Sequence, residues 1–88
     1  MKLINCLQQI NQNSFEDTLF VEEPWTLEAN TQILTDEQGQ TVLNINGKKY
    51  RYFLEVFIIN ELFEELEGEN MTFEKKCQRI IKYASNDA

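Results

Sequence analysis

The chain has no histidine. That removes the commonest general base and the commonest metal ligand. A Ser-His-Asp or Cys-His arrangement cannot be built from it. Cysteine is scarce, with Cys6 and Cys77 the two present. Two thiols make neither a disulfide framework nor, unaided, a zinc site. Both fall on apolar faces of expected helices, which marks them as buried free thiols. Glycine is confined to three separate positions, so no glycine-rich phosphate or dinucleotide loop exists. No uncharged run approaches a membrane span, and no signal peptide pattern opens the chain. The expectation is one soluble, cytoplasmic domain of 88 residues that needs no cofactor.

Positive charge is missing from half of the sequence. Between Leu3 and Gly47 there is no Lys or Arg, and the whole chain carries −7. That half holds Glu16, Asp17, Glu22, Glu23, Glu28, Asp36 and Glu37. A second acidic block runs through Glu61, Glu64, Glu65, Glu67 and Glu69. Bases cluster at Lys48, Lys49 and Arg51 and at Lys75, Lys76, Arg79 and Lys82. An acidic field repels phosphate backbones and draws in cationic partners. Nucleic acid is therefore not the expected partner. Lys48-Lys49-Tyr50-Arg51-Tyr52 does interleave bases with aromatics, as single-strand binders do. The hairpin register below turns those tyrosines away from Lys49 and Arg51. Adjacent acids such as Glu16-Asp17, Glu22-Glu23 and Glu64-Glu65 lie in no calcium-loop pattern and serve as surface charge. No pattern for an enzyme stands out, and none is expected.

The chain is organised around Thr41 to Leu66. Asn46-Gly47 supplies the two positive-φ positions of a type I′ turn. Ile45 then faces Lys48, Leu43 faces Tyr50 and Thr41 faces Tyr52. Leu43, Ile45, Tyr50, Tyr52 and Leu54 line one side, and Val42, Asn44, Lys49 and Arg51 the other. The apolar side is expected to face the core. Ile58, Ile59, Leu62, Phe63 and Leu66 follow helical spacing, which predicts a helix over 56–67 closed by Gly68. Thr72 is a good N-cap for a last helix, whose buried face carries Phe73, Cys77, Ile80, Ile81 and Ala84. Leu3, Ile4, Leu7 and Ile10 predict a short helix over 2–12. Thr18 to Val21 reads as a strand broken by Pro24, and Leu27 to Thr35 as another. The fold class is α+β: a small antiparallel sheet with one N-terminal helix and two C-terminal helices. The expected core is Leu43, Ile45, Tyr52, Leu54, Ile59, Leu62, Phe63, Cys77, Ile80 and Ile81.

Several stretches together resemble one family. They are Ser14-Phe-Glu-Asp-Thr-Leu-Phe20, Trp25-Thr-Leu27, Tyr52-Phe-Leu-Glu-Val56, Ile81-Lys-Tyr83 and Asn86-Asp87-Ala88. The chain looks like the small acidic bacterial immunity proteins found beside polymorphic and contact-dependent growth-inhibition toxins. Its central segment is shorter and less acidic than theirs, which leaves the toxin open. The resemblance implies a cytoplasmic inhibitor of one cognate toxin domain and no catalytic residues. An acidic face would then occupy a basic cleft, such as that of a nuclease. The expected face is Glu22, Glu23, Glu28, Asp36 and Glu37, because no base dilutes them in sequence, with Trp25 as a hydrophobic anchor. Glu61, Glu64 and Glu65 form the runner-up, since a basic last helix beside them would partly neutralise them. Two other readings compete. One is an adaptor or regulatory protein that forms a homodimer through the sheet edge or last helix; the other is a carboxylate hydrolase.

Overall fold

The structure, a computed structural model, describes residues 1–87, and the side chains of residues 1–86. The final residue of the Asn86-Asp87-Ala88 stretch and the side chain of Asp87 lie outside the described residues. Helix α1 (Leu3–Gln8) runs into a 3-10 turn at Ile10–Gln12. Strands β1 (Asp17–Glu22), β2 (Thr31–Thr35), β3 (Val42–Ile45) and β4 (Lys48–Glu55) follow. The chain ends with α2 (Val56–Leu66) and α3 (Phe73–Asp87). All strand pairings are antiparallel, in the order β2-β1-β4-β3. This is the expected α+β class.

The hairpin forms as its turn chemistry requires. Asn46 and Gly47 sit at φ of 52° and 79°, and Ile45 pairs with Lys48 and Leu43 with Tyr50. The Tyr52 N–H donates to the Thr41 carbonyl at 2.9 Å, extending the same register. Strand β4 passes directly into α2, with no side-chain cap at Glu55. Thr72 caps α3, its Oγ1 accepting from the Lys75 N–H at 3.2 Å. Gly68 does not cap α2 in a left-handed conformation; Glu67 closes that helix in a right-handed one.

The segment before β2 departs from expectation. Only Thr31–Thr35 is strand. The Leu27 and Ala29 carbonyls instead accept from the N–H groups of Ile4 and Leu3, each at 2.9 Å. A helix start leaves N–H groups without intrahelical partners. Here α1, which has no side-chain cap, takes two main-chain acceptors from this segment. Leu27 to Asn30 therefore serves as a cradle for α1. The preceding Glu23-Pro24 peptide is cis.

The buried face of the sheet is also different. Leu19, Val21, Phe53 and Leu54 join one cluster with Leu3, Cys6, Leu7 and Ile10 and with Val56, Ile59, Cys77, Ile80 and Ala84. Leu43 and Ile45 stay half-buried and outside it, as does Tyr52. The β1–β4 register separates Leu54 from Tyr52. Leu19 pairs with Leu54, but Phe20 pairs with Tyr52, so Phe53 is an extra residue in β4. Such a bulge interrupts the alternation of faces. It lets the consecutive Phe53 and Leu54 both reach the helix-covered core. Tyr50 and Phe20 are buried but outside the cluster, and Phe20 meets Tyr52 edge-on at 6.4 Å. Of the remaining expected core, Ile59, Cys77 and Ile80 are fully buried, and Leu62, Phe63 and Ile81 pack half-buried against the cluster.

Candidate functional site

Tertiary structure changes the charge of the expected face. Glu23 pairs with Arg51, and Glu28 pairs with Lys2 at 3.4 Å. Both partners come from outside the base-free stretch. Glu22 is half-buried and accepts from the Asn30 side-chain amide at 3.1 Å. Asp36 is used locally, its Oδ1 accepting from the Gln38 N–H at 3.2 Å beside the left-handed Gly39. Glu37 is exposed in the same turn. Trp25 is half-buried: its Nε1 donates to the Val21 carbonyl at 3.1 Å and its ring meets Phe53 edge-on at 5.1 Å. Those contacts fix its ring, and part of it stays exposed in a hollow beside Glu23 and Arg51. The acids thus spread across the end of β1, the cradle segment and the β2–β3 turn, and two of them are compensated.

The second block behaves the opposite way. Glu61, Glu64 and Glu65 are exposed on α2. Among the described residues the ion pairs are Lys2–Glu28 and Arg51–Glu23, so α3 does not neutralise these acids by contact. Glu65 turns toward a hollow shared with Arg79 and Lys82. Glu61 and Glu64 turn instead toward an open groove of about 580 Å³, lined also by Phe15, Glu16, Glu55, Phe57 and Asn60.

Three local features build that groove. Ser14 folds the turn before β1: its carbonyl accepts from Asp17 N–H at 3.0 Å and its Oγ from Glu16 N–H at 3.3 Å. That turn holds Phe15 out with 65% of its surface exposed. The direct β4–α2 junction puts Glu55 and Phe57 on the facing wall, with Phe57 43% exposed. One and two turns along α2, Asn60, Glu61 and Glu64 complete the lining. Glu55 accepts from the Tyr52 hydroxyl at 3.4 Å. An adjoining hollow continues from Phe15 and Glu64 to Phe63, Phe73 and Lys76. There Phe63 and Phe73 stack at 5.7 Å. Two exposed aromatics beside one groove with a polar rim make it a candidate interaction surface.

Sequence reading did not include Phe15, Glu16, Glu55 or Phe57 among the partner-binding residues. Phe57 carried a signal, because it falls outside the Ile58, Ile59, Leu62, Phe63 and Leu66 stripe and so must face elsewhere. Phe15 carried another, as a large apolar residue inside a polar turn. Nothing local linked the two.

The thiols are unsuited to nucleophilic work. Both cysteines are buried and unpaired with each other. Burial raises the Cys6 thiol above its ordinary value. Burial, helped by the charge of Glu74, pushes Cys77 up to about 11. Reactive thiols need the opposite shift. Among the described residues no three of His, Cys, Asp and Glu converge to hold a metal ion, and no helix is long and apolar enough to cross a membrane. Compared with known proteins, the chain matches no family model, no curated protein and no solved structure.

Proposed function

We propose that the protein is a non-enzymatic, cytoplasmic inhibitor of the immunity type, which binds a cognate bacterial toxin domain and occludes its basic cleft. A nuclease is the favoured partner, since a cleft that binds phosphates is basic. The observation that carries this reading is the α2 groove. Exposed Phe15 and Phe57 stand among Glu16, Glu55, Glu61 and Glu64, and no described base pairs with those acids. Uncompensated acids steer a basic partner during encounter, and apolar anchors set how long it stays. The groove replaces the Glu22, Glu23 and Glu28 face as the favoured contact, because Arg51 and Lys2 offset that face.

The test uses the toxin domain encoded beside this gene. Co-expression should protect cells from that domain. Association rates at low and high salt should then be compared for wild type and two charge-reversed variants. Glu61→Lys with Glu64→Lys should slow association about tenfold at low salt and lessen its salt dependence. Glu22→Lys, Glu23→Lys and Glu28→Lys together should slow it less. Equal rates for wild type and the α2 variant remove the groove from the interface. No protection by wild type removes the immunity reading.

One observation favours a second reading, a homo-oligomeric adaptor. Strand β3 lies at the sheet edge with β4 as its ladder partner, and its Leu43 and Ile45 remain half-exposed. Exposed edges of this kind pair with other strands. A mass that doubles with concentration, and no toxin gene nearby, would favour it.

A further inference from the structure

We infer that the α2 groove is built to seat one arginine side chain of the partner protein, with its guanidinium against the rings of Phe15 and Phe57. The inference rests on the partner-binding reading above and specifies its central contact. Among the described residues neither ring belongs to an aromatic pair, whereas Phe20, Tyr52, Trp25, Phe53, Phe63 and Phe73 all do. With Phe15 65% and Phe57 43% exposed, part of each ring is open to a ligand. A cation over such a face is attracted by the ring quadrupole. The surrounding carboxylates supply the matching charge, and the adjoining hollow brings only Lys76 near Glu64. Asn60 adds a side-chain carbonyl that can accept a further N–H.

Arginine fits these features better than lysine. Its guanidinium is planar, stacks on aromatic faces and is weakly hydrated, so it leaves water at lower cost. Its fork can donate to Glu61 or Glu64 while its plane lies on a ring. A lysine ammonium is strongly hydrated and binds as a point charge. Arginine is also enriched among the few residues that dominate interfaces. A purely apolar side chain would leave the acids without a partner. An acidic one would be repelled.

The test needs no toxin. Full-length protein labelled with nitrogen-15 is titrated with a blocked glycine peptide carrying a single arginine, followed by amide shifts. Lysine and citrulline versions serve as comparisons, citrulline keeping the shape without the charge. Saturable shifts at Phe15, Phe57, Asn60 and Glu61 are expected with arginine. Lysine should bind several-fold more weakly, and citrulline should produce no saturable shift. Phe57→Ala should weaken the arginine peptide about tenfold. Glu61→Gln with Glu64→Gln, at exposed helix positions, should weaken it comparably and checks the site if Phe57→Ala disturbs folding. Equal response to arginine and citrulline, or arginine shifts lying outside the groove, would overturn the inference. Failure of the wider reading has a different signature: the peptide binds here, yet no neighbouring toxin is neutralised. Conversely, a toxin bound equally well by Phe57→Ala refutes the arginine seat and leaves the inhibitor intact.

Discussion

Replacing Phe53 by alanine should destabilise this protein severely, although Tyr52 and Tyr50 beside it look equally fit for a core. Phe53 is 1% exposed and sits in the cluster that α1, α2 and α3 cover. Truncating a buried phenylalanine costs about 3–5 kcal/mol. That cost includes the edge-on contact with Trp25 at 5.1 Å, which accounts for about 0.5–1.5 kcal/mol of it. A chain of 88 residues has a total stability of about 4–13 kcal/mol. The loss is thus about a quarter of the total or more, and the melting temperature should fall by about 12 °C or more. Leu43→Ala is the matched control, on the opposite sheet face and half-exposed. It should cost about 1 kcal/mol. Urea unfolding followed by far-UV circular dichroism gives both values. Trp25 fluorescence would report the same transition, but its baseline shifts when Phe53 is removed. A Leu43→Ala variant less stable than Phe53→Ala would refute the reasoning, because it would put the helices on the other face.

Other outcomes follow from the same geometry. Cys77 stays neutral in the folded protein up to about 11, whereas in the unfolded chain it ionises from 9.0 upward. Its contribution to stability is therefore intact below that lower value and lost as pH rises between the two. Cys77→Ala should show a shallower alkaline loss of stability than wild type, and parallel pH profiles would contradict this. Gly47→Val should cost about 1–2 kcal/mol in a melt, because φ of 79° is strained for any side chain although space around the position is open. An unchanged midpoint would deny that the turn is held in that conformation. Arg51→Ala should leave Glu23 unpaired with little loss of stability, as exposed ion pairs contribute about 0–1 kcal/mol. If the β1 face contacts a basic partner, that variant should bind faster at low salt; unchanged rates would keep the face out of the interface.

Several elements were legible in the residues because their causes are local. Asn46-Gly47 dictates a turn by backbone sterics, and the turn sets the register of Leu43 with Tyr50. Thr72 has only to reach its own helix start to cap α3. The spacing of Ile59, Leu62 and Phe63 requires a helical stripe, and that of Cys77 and Ile80 another. Leu27 and Ala29 misled for the same reason. Weak alternation signals extended chain, but a helix start from elsewhere took their carbonyls.

What the sequence by itself determined is the set of elements, their antiparallel hairpin and the burial of both thiols. Alternation states that the two faces of a strand differ; it does not state which one the helices cover. The helices cover the side that carries Leu19 and Val21, and one extra residue in β4 lets both Phe53 and Leu54 reach the core there. Charge behaved likewise. A stretch without bases in sequence gained Lys2 and Arg51 through space, since Coulomb attraction depends on distance and not on chain position. The groove belongs wholly to tertiary structure: Phe15 and Phe57 are 42 positions apart by their numbers, and only the return of β4 alongside β1 brings their turns together.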